Sequence, residues 1–99
     1  MYIEEITQDG TLQLNVEGNI DTINSPEFQD AVLKAFQKSN NVVINMEKVS
    51  YLASAGLRAL MLGSKTASSK GGTLVVINVQ QSVADVFRVT GFDKVLDIR

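Results

Sequence analysis

VVINMEKVSYLASAGLRAL, residues 42–60, opens as a strand and closes as a helix. VVIN at 42–45 is a short apolar run, the pattern of a strand buried on both faces, as in parallel sheets. From Ser54 a helix is expected to run to about Lys70, with Leu57, Leu60, Met61 and Ser64 on one side and Gly71-Gly72 stopping it. A buried strand feeding a helix is a β-α unit, which is stable only inside a larger sheet. At its joint stands Ser54, flanked by Ala53 and Ala55 and followed by Gly56. A core segment would carry larger side chains there, and a surface loop more charge. The stretch reads as a place where something must approach one hydroxyl.

Downstream the unit repeats. LVVIN at 74–78 is another apolar run expected to be a buried strand. Ser82 and Asp85 have the spacing of a capping box opening a third helix, with Val83, Val86, Phe87 and Thr90 inward and Gly91 terminating it. Val95 to Ile98 suits a last short strand or turn. Upstream, Ile3 and Ile6, then the alternating Leu12, Leu14 and Val16, predict two strands joined at Asp9-Gly10, a strong hairpin signal. Gly18 ends the second strand and NIDTIN follows as a loop. Ser25-Pro26 starts a helix, since Ser can cap and Pro fits the first position; Phe28, Val32, Ala35 and Phe36 share its inner face, and it ends near Ser39-Asn40.

The order is β-β-α-β-α-β-α-β. This predicts a single α/β domain over 1–99, with a mixed, mostly parallel sheet of four to five strands and three to four helices. In such sheets ligands bind beyond the carboxyl ends of the strands. Three loops are expected there: Asn19 to Ser25, Val49 to Ser54 and Val79 to Ser82.

Composition narrows the chemistry. The chain has no cysteine and no histidine, which removes disulfides, thiolate chemistry, the usual imidazole base and nearly every zinc site. Its formal charge is −2 and its Lys and Arg are scattered, so no basic stripe suits nucleic acid. MYIEEITQDG is acidic and lacks the apolar core of a signal peptide, and no run is long enough to span a membrane. A soluble cytoplasmic domain without cofactor or metal is expected. GxxxxGK[ST], GxGxxG and GxSxG are all absent, and Ser54 has no histidine to activate it. An enzyme is therefore not expected.

Ser54 can be the N-cap of the second helix, or a regulatory hydroxyl whose phosphate a helix N-terminus would tolerate; the two roles are compatible. Gly56, Ala59, Gly63 and Ala67 form a small-residue stripe, for close packing or for a docked protein. Asp21 is the one acid of its loop and reads as a turn or interface residue rather than a catalyst. Hydrolysis would need a second carboxylate, for which Glu47 is the nearest candidate. Thr22, Asn24 and Ser25 suit turns and caps.

GNIDTINSPEF, VVINMEKVSYLASAGLRAL and SVADVFRVTGFDKVLDI, taken together, resemble the STAS domain, and within it the bacterial anti-sigma-factor antagonists. The resemblance covers nearly the whole chain. It implies a non-enzymatic switch that controls sigma-factor-dependent transcription. Unphosphorylated, such a protein binds an anti-sigma factor that is also a serine/threonine kinase; phosphorylation of a serine matching Ser54 releases it. The resemblance places Asp21 near that site and matches Asn45 to a polar residue ending the central strand. The implied partner surface is Asp21, Thr22, Asn24, Ala53, Ser54, Ala55, Gly56 and Arg58. Many members have an acid or serine where this chain has Ala53, and a second serine where it has Ala55. Other STAS proteins are unphosphorylated subunits of transporter or signalling assemblies, which is the alternative role.

Overall fold

A hairpin starts the chain. β1 (Tyr2–Gln8) and β2 (Thr11–Glu17) pair antiparallel through Asp9 and Gly10, both at positive φ (52° and 80°), the conformation that matches strand twist in a two-residue turn. The computed structural model describes all of residues 1–99. Three α-β units follow: α1 (Ser25–Lys38) leads to β3 (Asn41–Lys48), α2 (Ser54–Ser69) to β4 (Thr73–Ile77), and α3 (Gln81–Thr90) with a 3-10 turn (Phe92–Lys94) to β5 (Asp97–Ile98). The sheet order is β1-β2-β3-β4-β5, parallel from β2 onward. The predicted α/β class and element order are those observed, with five strands and three α-helices.

Each crossover steps to the next strand in the same direction. Right-handed connections therefore stack the helices on one face. That face is the core: Leu12, Leu14 and Val16 of β2, Val42, Ile44 and Met46 of β3, and Leu74 and Val76 of β4 are buried against Phe28, Val32 and Phe36 of α1, Leu57 and Leu60 of α2, and Val83 and Phe87 of α3. The small-residue stripe is inside. Gly56, Ala59, Gly63 and Ala67 are buried, and a Cβ on Gly63 would lie 2.8 Å from Val32 and 3.2 Å from Leu74. The stripe lets α2 sit close to α1 and the sheet.

The opposite face of the sheet has no helices. VVIN and LVVIN are thus buried on one face, not two: Val43, Asn45, Val75 and Ile77 are half-buried and point to the open side. A run of β-branched residues cannot show which face is covered, because both faces are apolar. The open face carries a hydrogen-bonded ladder. Asn78 Nδ2 donates to Asn45 Oδ1 (3.0 Å), Asn45 Nδ2 to Asn15 Oδ1 (3.0 Å), and Asn15 Nδ2 to Glu4 Oε1 (3.1 Å).

Two helix starts differ from expectation. Asn24 is the N-cap residue of α1, and Ser25 is its first residue, buried and donating to the Asp21 carbonyl. The Ser82–Asp85 capping box does not form. Gln80 is the N-cap residue of α3; Ser82 donates to Ser50 O (2.9 Å), and Asp85 accepts from Gln81 and Arg88. Thr90 is exposed, not inward, its hydroxyl donating to Val86 O. Gly91 ends α3 in the left-handed conformation (φ 79°), as expected.

Candidate functional site

The loops after β2, β3 and β4 meet at one rim. Gly18 N–H donates to Lys48 O (3.0 Å), Ile20 N–H to Tyr51 O (3.0 Å), and Ala53 N–H to Ile20 O (2.8 Å). Ile20 and Leu52 thus pair as a one-residue parallel bridge, extending the β2–β3 ladder into the loops. Ser50 Oγ donates to Asn19 Oδ1 (2.7 Å), and Gln80 Nε2 to Glu47 O (2.8 Å). With Ser82 bonded to Ser50, all three predicted loops are joined by hydrogen bonds.

The first loop is internally fixed. Asp21 accepts from the N–H groups of Ile23 (2.9 Å) and Asn24 (2.8 Å), while Asn24 accepts from Asp21 N–H (2.8 Å) and donates to Asn19 O (2.9 Å). The carboxylate of Asp21 holds a turn. Glu47 lies elsewhere, lining a shallow cavity of about 260 Å³ on the open sheet face with Tyr2, Glu4, Asn15, Glu17 and Lys48; Asp21 does not line it. The two carboxylates do not converge on one space, so the acid-base pair that hydrolysis needs is not assembled there.

Ser54 is the first residue of α2 and is exposed. Ala53, not Ser54, occupies the N-cap position, with an extended backbone (φ −75°, ψ 164°) and no side-chain cap. The Ser54 hydroxyl therefore caps nothing and faces solvent at a helix N-terminus, where N–H groups and the dipole favour negative charge. Arg58, one turn on, is exposed, and Ala55 is half-buried.

Two expected surface residues are not on the surface. Ala53 is only 7% exposed and Gly56 is buried. A Cβ on Gly56 would lie 2.4 Å from Leu52 Cδ1 and 3.0 Å from Ile20 Cγ2, so this glycine seats the helix on the bridged loops. Their place is beneath the contact surface. Asp21, Thr22 and Ser54 remain exposed and Asn24 partly so.

Two residues went unnoticed in sequence. Ile23 is 90% exposed and Tyr51 53% exposed, each on one of the joined loops. The available signal was an isoleucine in an otherwise polar turn and a tyrosine beside an apolar anchor.

No helix is long and apolar enough to cross a membrane, and no group of three or more acidic side chains is placed to hold a metal ion. On the third loop's helix, the Gln81 amide and then the Arg88 guanidinium hold the Asp85 carboxyl below its ordinary value of 3.8.

A family model described as STAS domain matches residues 2–99. The anti-sigma-B factor antagonist of Bacillus subtilis is 26% identical over 87 residues, covering 88% of this chain and 80% of the relative. An anti-sigma factor antagonist from Mycobacterium paratuberculosis superposes with a TM-score of 0.87 at 22% identity, covering 98% of this chain and 83% of that one. The Bacillus anti-sigma factor antagonist SpoIIAA superposes at 16% identity in both its forms. The TM-score is 0.76 unphosphorylated, covering 99% of this chain and 87% of that one, and 0.75 phosphorylated, covering 99% and 91%. At these identities the structural likeness is one of fold.

Proposed function

The chain belongs to the STAS domain family, and on that premise we propose that it is a non-enzymatic switch in sigma-factor control, an anti-sigma-factor antagonist. Unphosphorylated, it binds a cognate anti-sigma serine kinase and so frees a sigma factor in the cytoplasm. The kinase transfers the γ-phosphoryl group of its nucleoside triphosphate to Ser54 Oγ. The diphosphate leaves, the hydroxyl proton passes to a base of the kinase, and binding ends.

The observation that carries the reading is the exposed, uncapped hydroxyl of Ser54 on the rim where three loops join. The named roles of the relatives point the same way. The proposed contact surface comprises Asp21, Thr22, Asn24, Ser54, Ala55 and Arg58, with Ile23 and Tyr51 as apolar anchors and Ala53 and Gly56 as support. A phosphate here adds roughly −1.5 to −2 charges at neutral pH. Placed in a closed interface, that charge loses its hydration without a guaranteed partner.

Incubation with the cognate kinase and ATP is expected to add one phosphate by intact mass, and Ser54→Ala to abolish it. Full-rate labelling of the alanine variant would refute the site. Ser54→Asp is expected to weaken kinase binding by about 1 kcal/mol or more; unchanged affinity in a calorimetric titration would refute the switching step. Recovery of transporter subunits instead of a kinase in a pull-down would replace the reading with that of an unphosphorylated assembly subunit.

A further inference from the structure

We infer that Arg58 is the counter-ion that captures the phosphate once it is on Ser54, taking a cation out of the partner's contact surface. The inference rests on the Ser54 reading above and says how the same site is regulated.

Ser54 and Arg58 are four residues apart on α2, and both are exposed. That spacing brings their Cβ atoms to about 5–6 Å, within reach of a phosphate and a guanidinium. An anion N-terminal to a cation is also the favourable orientation along a helix.

Arg58 is unclaimed. The ion pairs of the structure join Lys34 to Asp30, Lys38 to Glu5, Arg88 to Asp85 and Arg99 to Asp97, and none includes Arg58. The groove beside it is lined by Met61, Leu62, Lys65 and Phe92, so the one other charge there is a second cation. Asp93, next to Phe92, lines a different cavity with Gln81, Asp85 and Arg88. Asp21, on the rim, is engaged in its own turn. No carboxylate competes for the guanidinium, and its planar fork matches phosphate oxygens in two parallel hydrogen bonds.

Before phosphorylation Arg58 is free to meet a carboxylate of the partner. Afterwards the phosphate holds it. The switch then removes an attraction at the same moment as it adds a repulsion.

The test uses the full chain carrying phosphoserine at position 54, installed chemically or by codon reassignment. ³¹P NMR titration follows the second ionisation, which lies near pH 6 for an isolated phosphoserine. A neighbouring cation favours the dianion and lowers this value. Arg58→Ala is therefore expected to raise it by about half a pH unit, and Arg58→Lys to restore part of the difference. Phosphorylation is also expected to raise the melting temperature more with Arg58 present than in Arg58→Ala, where only the helix N-terminus favours the added charge. Superimposable titrations for the three proteins would overturn the inference. Because the phosphate is installed without a kinase, this outcome is independent of whether the kinase modifies Ser54, and failure of either idea is seen separately.

Discussion

Gly56 shows how much one missing methyl group decides at the rim. Its Cβ would meet the tip of Leu52, which can give way in part. Gly56→Ala is thus expected to destabilise the fold by about 1–3 kcal/mol in urea titration. At Gly72 the added Cβ would sit 1.8 Å from the Asn40 carbonyl oxygen, which also accepts from Thr73 N–H. Backbone cannot rotate aside, so Gly72→Ala is expected to cost above about 3 kcal/mol in the same titration. Sequence showed that Ser54 is approachable but misplaced its neighbour. Two residues along a helix turn by about 200°, so a glycine two positions after an outward serine faces inward. Tyr51 carries the complementary prediction. Under the proposed function, Tyr51→Ala is expected to lower affinity for the proposed kinase partner by more than about 1 kcal/mol by calorimetry, because exposed aromatics anchor interfaces. Its urea midpoint is expected to stay within error of the parent.

The strands differ from face to face. Val42 is fully buried under the helices and Val43 is half-buried on the open side. Val42→Thr places a hydroxyl where nothing accepts its hydrogen bond and is expected to cost about 1–3 kcal/mol. Val43→Thr keeps access to water and is expected to cost under about 1 kcal/mol. Equal losses in paired urea titrations would mean that the second face is covered too. In α3, the Gln81 amide lowers the Asp85 carboxyl in the folded chain relative to 3.8. A depressed carboxyl contributes stability above the unfolded value and loses it as pH falls through the folded one. Gln81→Ala is therefore expected to melt below the parent at neutral pH, with the gap closing well under pH 3.8. Melting curves across that range check it.

Across the whole molecule, what sequence made legible was order and periodicity. Alternation in Leu12, Leu14 and Val16, the Asp9-Gly10 turn and the i, i+4, i+7, i+8 face of α1 each act over a few residues, so local pattern suffices to read them. The Asn15–Asn45–Asn78 ladder, the Ser82–Ser50 contact and the empty sheet face depend on residues some 30 positions apart. No local pattern encodes such pairs, which is why the rim's loops were predicted and its joints were not. The same architecture sets a gradient of stability. β3 is hydrogen-bonded on both sides, whereas β1 is an edge strand with mostly exposed residues. Amide exchange is expected to be slowest in β3 and fastest among the strands in β1, as read by NMR or mass spectrometry.

The bridge between Ile20 and Leu52 bolts two loops into a single plate. A protein landing on that plate finds no segment left to fold, so little entropy is spent at first touch. Encounter then proceeds at a pace governed by diffusion, orientation and surface charge, and under the proposed switch a phosphate on Ser54 is expected to slow the approach as well as shorten the stay.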